Sequence, residues 1–246
     1  MQTNLPVPAR ALAIAAHPDD VEFGCGGTLA KWAAGGCEIF HLICTDGSKG
    51  TWRADQDPAE LVVTRRAEQR AASIALGGKG QVIFLGWPDG ELESGLRQRA
   101  EIAGWIREIA PDVVLSHDPW KRYRLHPDHR NAGFLATDGI VAARDPLFFP
   151  ELNRSPHRPR TLLLFEADEP DHFEDVTAFV ERKIEALLQH RSQFHTTMGI
   201  SGPGAANEHE HPEVVEFRRR ITERLAEHGS QAGVTAAERF KRIEDL

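Results

Sequence analysis

Hydrophobic residues are concentrated in five short runs along the chain, and segments with helical spacing separate these runs. The runs are Ala11–Ala16, Glu38–Cys44, Gln81–Trp87, Asp112–His117 and Thr161–Ala167. Each has the length of a β-strand, and most are apolar throughout instead of alternating with polar residues. Continuous apolar character is typical of strands that are covered on both faces.

The segments between and after these runs predict helices. They are Gly27–Ala34, Ala59–Leu76, Leu96–Ile109, His129–Ala143, Val176–His190 and Val214–Glu227. In Leu96–Ile109, the residues Ile102, Ala103, Ile106 and Ile109 fall on one stripe, as in an amphipathic helix. The alternation of strands and helices predicts an α/β fold with an open, mostly parallel sheet and helices on both faces.

Two segments lack any helical or strand periodicity. Asp145–Pro159 is rich in proline, and Gly199–Pro212 is rich in glycine, proline and alanine. We predict irregular loops at both places. The whole chain, residues 1–246, is expected to form a single domain, with a helical appendage at about 205–246 packed on the sheet.

Composition narrows the function. The 29 basic and 37 acidic residues leave a net charge of −8, which argues against nucleic acid as a partner. No stretch approaches the roughly 18 apolar residues of a membrane span, and the amino-terminal residues lack the hydrophobic core of a signal peptide. Three cysteines are an odd number for a disulfide framework, so we predict reduced thiols and a cytoplasmic location.

Polar residues collect directly after the predicted strands. The first run is followed by His17-Pro18-Asp19-Asp20, and Asp46 and Asp89 follow the second and third runs. The fourth ends at His117 and leads to His126-Pro127-Asp128-His129. Because ligands bind outside the carboxyl ends of parallel strands, these residues are expected to share one edge of the sheet.

His17, Asp20 and His129 are candidate metal ligands. Two histidines and one carboxylate are a common catalytic zinc set that leaves a position open for water. Alternatively, the first cluster, residues 17–20, is simply a helix start in which Asp19 or Asp20 caps free amides. The second cluster, after the fourth strand, favours the metal site over this alternative.

Asp19 and His126 are then the candidate catalytic groups. Asp19 is placed to accept a proton from the attacking water, and His126, oriented by Asp128, to stabilise an oxyanion or protonate a leaving amine. Asp128 is equally well explained as a capping acid at the helix that follows. Asp89 either contacts substrate or only ends a turn.

The stretch AAHPDDVEFGCGGTLAKWAAGG, the TDG after the second run, the segment RRAEQRAA and the later HPDH together resemble the LmbE-like, or PIG-L, family of zinc-dependent de-N-acetylases. The similarity extends from about residue 11 to residue 131, and a weaker similarity is found at residues 183–193, KIEALLQHRSQ. It implies a Rossmann-like fold and hydrolysis of an N-acetyl group from an amino sugar. It also implies that His17, Asp20 and His129 are zinc ligands and that Asp19 is the base. The same resemblance implies that His126, supported by Asp128, assists the transition state and that Arg65 contacts the substrate.

The chain departs from some sugar deacetylases of that family at one position. Those enzymes have a tyrosine two residues before HPDH, where this chain has Arg124. Because arginine binds phosphate and carboxylate in a bidentate manner, Arg122 and Arg124 suggest an N-acetylated sugar that carries phosphate or a nucleotide. The alternative is an ordinary solvated basic loop. A homo-oligomer, formed through the irregular loops, is a further possibility.

Two other functions remain open at this point. The same three ligands also form the iron site of non-haem oxygenases, so Fe²⁺ or another divalent ion is an alternative to Zn²⁺. The extra acid Asp19 suits hydrolysis better than oxygenation. A non-catalytic α/β binding module, in which the polar clusters are only structural, is the second alternative.

Overall fold

The computed structural model describes residues 2–201 and 210–246 of the chain. Its strands are β1 (Gln2–Thr3), β2 (Arg10–Ala15), β3 (Glu38–Thr45), β4 (Val82–Trp87), β5 (Val113–His117), β6 (Thr161–Phe165), β7 (His172–Asp175) and β8 (Ala237–Glu244). Its helices are α1 (Asp20–Ala34), α2 (Pro58–Ala75), α3 (Leu96–Ile109), α4 (Pro127–Arg144), α5 (Val180–Leu187) and α6 (Pro212–Ala232).

The strands of the described residues join in one eight-stranded sheet with the order β1-β7-β8-β6-β5-β2-β3-β4. The pairs from β4 through β6 are all parallel, as the continuous apolar runs predict. β2 has β3 on one side and β5 on the other, so the order of connection reverses between β2 and β5. Such a switch point is where open α/β sheets bind their ligands.

Both faces of the central strands are covered, which explains their unbroken apolar character. Along β2, Ala11 and Ala13 belong to one core cluster together with Trp32 of α1. Leu12 belongs to a second cluster on the opposite face, together with Ile102 of α3. All of these side chains are fully buried. Successive strand residues point to opposite faces, so both faces require apolar side chains.

The carboxyl-terminal part of the chain differs from the predicted helical appendage. α6 is a helix as expected, but the following residues form β8, which lies inside the sheet between β6 and β7 and antiparallel to both. β8 contains charged residues that obscure a strand pattern. One of them, Glu238, is buried because it accepts a hydrogen bond from Lys183 of α5 over 2.6 Å. That the whole chain is a single domain stays a prediction.

The first predicted loop is confirmed, and the bounds of two helices differ from the prediction. The segment 145–159 is irregular, with one short 3₁₀ turn at Pro150–Leu152. Of the predicted loop Gly199–Pro212, residues 202–209 lie outside the described residues. α1 begins at Asp20, seven residues earlier than predicted, and contains a kink at Cys25. α5 is shorter than predicted, because a separate 3₁₀ turn at Thr177–Phe179 precedes it.

The three cysteines are free and buried, at positions 25, 37 and 44. Within residues 2–201 and 210–246, none of the helices combines the length and the apolar character that crossing a membrane requires.

Candidate active site

Side chains from one strand end and two helix starts converge at the switch point. Nδ1 of His17 lies 3.2 Å from Nε2 of His129 and 3.3 Å from Oδ2 of Asp20. Oδ1 of Asp20 lies 3.3 Å from the same Nε2 of His129. Ligand atoms about 2.0–2.1 Å from a tetrahedral zinc ion are about 3.3 Å from each other. The spacing of these three side chains therefore fits a zinc-sized ion.

The charge states of Asp20 and His129 also suit a cation. Burial alone would raise the pKa of Asp20, but the neighbouring His129 and His117 hold it well below its usual range. Burial lowers the pKa of His129 to about 4, so its imidazole is neutral near pH 7. A carboxylate and a neutral imidazole are the forms in which these residues bind metal.

The turn between β2 and α1 holds His17 and Asp20 together. Oδ2 of Asp20 accepts a hydrogen bond from the backbone N–H of His17 over 2.7 Å. Between them, Asp19 has a left-handed backbone with φ of 101°, a conformation that costs a non-glycine residue of order 1–3 kcal/mol. The N–H of Asp19 donates to Oε1 of Gln69 on α2 over 2.9 Å, and this contact holds the strained residue.

His17 is oriented by two carboxylates on its far side. Its Nε2 lies 3.1 Å from Oδ2 of Asp128 and 3.1 Å from Oδ1 of Asp89. Asp128 is fully buried and also accepts backbone N–H groups of Gly90 and Leu92. A carboxylate on one imidazole nitrogen leaves the other nitrogen free for a metal ion. This arrangement places Nδ1 of His17 toward Asp20 and His129. Burial opposes protonation, but the carboxylates of Asp128, Asp20 and Asp89 raise the pKa of His17 well above its usual value, so a bound ion would displace the Nδ1 proton.

The relationship between His126 and Asp128 differs from the prediction. The carboxylate of Asp128 faces Nε2 of His17, not the ring of His126. His126 is the cap of α4, because its Nδ1 accepts the backbone N–H of Asp128 over 3.3 Å. Burial and the neighbouring His17 lower the pKa of His126, which favours the neutral imidazole. Its ring stacks on that of His129, with centroids 4.8 Å apart.

Arg124 is buried, which excludes the alternative of a solvated basic loop for this residue. Its guanidinium is buried and lies 3.1 Å from Nδ1 of His117 and 3.3 Å from Nδ1 of His129. It also donates to Oε2 of Glu166 over 2.7 Å. His117, at the end of β5, lies 3.3 Å from Oδ2 of Asp20 through its Nε2. The guanidinium thus contacts the candidate metal-ligand cluster from behind, and its contact with substrate stays a prediction.

Asp19 faces a buried polar network. Its carboxylate lies 3.7 Å from the guanidinium of Arg65, which donates to the backbone carbonyls of Gly47 and Pro18. Burial raises the pKa of Asp19 to about 6; the nearby Arg65 opposes this shift and Asp20 adds to it. Behind Gln69, a hydrogen bond to buried Glu22 extends the network.

A cavity of about 390 Å³ opens over this cluster. Predicted site residues on its wall are His17, Asp19, Asp20, Arg65, Asp89, His126 and His129. Two segments distant in sequence complete the wall: Lys49–Trp52, and a turn that contributes Gln193, Thr196 and Thr197. Asp128 and Arg124 lie behind the cluster. Arg122 is exposed, and its backbone N–H donates to Asp168.

Sequence reasoning missed several contributors. Glu166 directly follows β6, so extending the strand-end argument to the fifth run would have found it. Gln69 lies one helical turn after Arg65, on the same face of α2, which was a usable signal. Trp52, in the loop between β3 and α2, carried no pattern that pointed to the cavity.

Fold and site together define an α/β protein with a candidate two-histidine, one-carboxylate metal centre at the switch point of its sheet. The chain belongs to the PIG-L family, described as GlcNAc-PI de-N-acetylase, whose family model matches residues 12–140.

Individual relatives agree with this membership. The chain is 35% identical over 192 residues to a diacetylchitobiose deacetylase of Thermococcus kodakarensis, covering 75% of this chain and 70% of the relative. It is 31% identical to a 1D-myo-inositol 2-acetamido-2-deoxy-alpha-D-glucopyranoside deacetylase of Geodermatophilus obscurus, but covers only 56% of that protein.

Among solved structures, the N,N'-diacetylchitobiose deacetylase of Pyrococcus horikoshii superposes with a TM-score of 0.83 at 28% identity, over 96% of this chain and 84% of that one. These matches confirm the predicted family, the α/β fold and the assignment to the metal-dependent de-N-acetylases. They favour neither the oxygenase nor the non-catalytic binding module.

Proposed function

We propose that this chain hydrolyses the N-acetyl group of a saccharide containing N-acetylglucosamine, with a zinc ion held by His17, Asp20 and His129. The observation that carries the proposal is the set of three contacts of 3.2–3.3 Å among His17, His129 and Asp20, in which each carboxylate oxygen of Asp20 faces one histidine, with Asp19 on the wall of the same cavity. When bound, the ion supplies Lewis-acid polarisation of the acetyl carbonyl and of water.

Asp19 is the proposed general base. Its carboxylate accepts a proton from the water that attacks the acetyl carbonyl carbon, and it returns a proton to the amine as the C–N bond breaks. The products are acetate and the free amino sugar. The hydrogen bond from Asp19 to Gln69 supports this role, because it fixes the backbone from which the carboxylate reaches the cavity.

His126 is the proposed donor to the oxygen that gains charge during the attack. Because its Nδ1 accepts the N–H of Asp128, the proton of the neutral ring resides on Nε2. An N–H at that position is a suitable partner for an oxyanion. This assignment keeps the predicted residue but replaces the imidazolium with a neutral imidazole.

For the substrate, we propose a neutral saccharide related to diacetylchitobiose. Arg65 and Asp89 line the cavity and are the proposed contacts to the sugar ring. A phosphate- or nucleotide-bearing sugar has less support, because the guanidinium of Arg124 is already paired with Glu166. Arg122 is exposed, and the ammonium of Lys49 on the cavity wall is paired with Glu91 over 2.9 Å.

A cytoplasmic location and a homo-oligomer also stay proposals. The free, buried thiols of Cys25, Cys37 and Cys44 support the first, since they match a reducing compartment.

The test of the proposed function is release of acetate from N,N'-diacetylchitobiose by the full chain. The protein is stripped with a chelator and reloaded with Zn²⁺ or Fe²⁺, and turnover is measured with and without dioxygen. We expect activity that needs the metal and is independent of dioxygen. If the metal-loaded protein releases no acetate from a panel of neutral and phosphorylated N-acetylated sugars, the proposal fails.

A further inference from the structure

An exposed indole stands at the mouth of the cavity. Trp52 is 71% exposed, yet it lines the same cavity as His17, Asp20 and His129. Its ring meets the ring of His195 edge to face, with the centroids 5.0 Å apart. A single exposed aromatic residue is ordinary on a protein surface, but one on the wall of an active-site cavity needs a separate explanation.

Buried contacts hold the backbone that carries Trp52. Nε2 of Gln193 donates to the carbonyl of Gly50 over 3.0 Å, and the guanidinium of Arg65 donates to the carbonyl of Gly47 over 3.0 Å. A Cβ on Gly50 would lie only 2.2 Å from the Arg65 guanidinium, so this close approach requires glycine. Two residues of the cavity wall therefore fix the loop from which the indole projects.

The chemistry of the wall near Trp52 matches a carbohydrate. A pyranose ring has one face of C–H groups, which stacks on an aromatic ring, and a rim of hydroxyls. The hydroxyls of Thr196 and Thr197 and the ammonium of Lys49 lie on the same wall and offer hydrogen bonds to such a rim. At about 390 Å³, the cavity is at the small end of ligand pockets, so a second sugar ring extends to its mouth.

We propose that Trp52 is the stacking platform for the sugar ring next to the N-acetylglucosamine unit that is deacetylated. The chain is then selective for disaccharides or longer saccharides over free N-acetylglucosamine. This inference rests on the proposed function for its reaction, and it adds the residue that sets substrate length.

The test compares two substrates in matched variants. Trp52→Ala removes the platform, Trp52→Phe keeps an aromatic ring, and Trp120→Ala is the control. Trp120 is 61% exposed and lies edge to face on Phe134, away from the active-site cavity. We measure KM and kcat for N,N'-diacetylchitobiose and for N-acetylglucosamine, with thermal unfolding as the check that each variant is folded.

We expect Trp52→Ala to raise KM for the disaccharide about ten-fold, in line with ring stacking on an aromatic side chain, and to leave KM for the monosaccharide within about two-fold. We expect KM of Trp52→Phe for the disaccharide to stay close to the wild-type value, and we expect Trp120→Ala to change KM for neither substrate. Equal effects of Trp52→Ala on both substrates, or no effect on either, overturn the inference.

A binding measurement separates this inference from the proposed function. Asp19→Asn is introduced into the wild type and into Trp52→Ala to suppress turnover. The disaccharide is then titrated calorimetrically into both metal-loaded proteins. If the chain with Asp19 intact releases no acetate although disaccharide binding depends on Trp52, the platform stands and the proposed reaction is removed. Binding that is independent of Trp52 removes the platform whatever the activity.

Discussion

The carboxylate of Asp128 lies 3.1 Å from Nε2 of His17, although 111 positions separate the two residues in the chain. This contact determines which nitrogen of His17 faces Asp20 and His129. The same carboxylate accepts two backbone N–H groups from the segment after β4, so it ties three strand ends together. We therefore expect metal affinity and local structure at this edge of the sheet to depend on this buried acid.

The first prediction concerns that acid. Asp128→Asn keeps the size of the side chain but weakens its hold on His17, and we expect zinc affinity to fall about 10–100-fold. Competition with a chromophoric chelator measures the change. The matched control is Asp138→Asn, an acid on the opposite, half-exposed part of α4 that pairs with Arg99. Zinc affinity unchanged in Asp128→Asn would show that the contact does not orient a ligand.

The second prediction separates the base from the ligands. Asp19→Asn is expected to keep zinc and lose about 10²–10⁴-fold in kcat, because the proton acceptor is removed while the ligand atoms stay. His129→Ala is expected to lose zinc as well. Metal content by elemental analysis and acetate release are measured on the same samples. Asp55→Asn, on the exposed loop before α2, is the control. Near-normal turnover in Asp19→Asn contradicts the assignment.

The third prediction concerns Arg124. Because its guanidinium contacts His117, His129 and Glu166, Arg124→Gln is expected to lower the free energy of unfolding by about 1–3 kcal/mol through unpaired buried groups. It is also expected to reduce kcat by the same factor for neutral and phosphorylated sugars. Urea unfolding and parallel assays measure the two effects. A selective loss with phosphorylated sugars instead restores Arg124 as a substrate contact.

The fourth prediction concerns pH and a histidine far from the metal-ligand cluster. Burial, helped by the positive charge of Arg239, lowers the pKa of His228 to about 4. In the unfolded chain its pKa is about 6.5, so between pH 6.5 and 4 the unfolded state binds the extra proton. The contribution of His228 to the free energy of unfolding is therefore fully present above pH 6.5 and is lost as the pH falls from 6.5 to 4.

His228→Gln removes this group from the pH dependence. We expect the free energy of unfolding, from urea titrations at pH 7 and pH 5, to fall by about 1 kcal/mol less in the variant than in the wild type. Identical pH dependence in the two proteins shows that His228 keeps its ordinary pKa in the native state.

The central sheet was predictable because its physical cause is local. In β2, Ala11, Leu12 and Ala13 are all fully buried, and burial on both faces leaves a continuous apolar run in the sequence. The strand-end rule then placed His17, Asp20 and His129 at one edge without any long-range information.

The missed strands and contacts have long-range causes. Glu174 of β7 is buried with Lys31 and His172 as partners, and Glu238 of β8 is buried with Lys183 and two backbone N–H groups of α1 as partners. A strand whose charges are satisfied by distant residues has no signature of its own. Arg124 is buried for a similar reason, since Glu166, 42 positions later, accepts a hydrogen bond from its guanidinium.

The position of β8 has a consequence for how the protein is made. Among the described residues, β8 separates β6 from β7, and β1 joins the sheet only through β7. During synthesis the central strands have their neighbours early, whereas β1 has no strand to pair with until β7 is held in the sheet by β8. We therefore expect β1 to pair late, and we expect nascent chains halted before β8 to leave the outer edge of β6 unpaired, as a template for pairing with other chains.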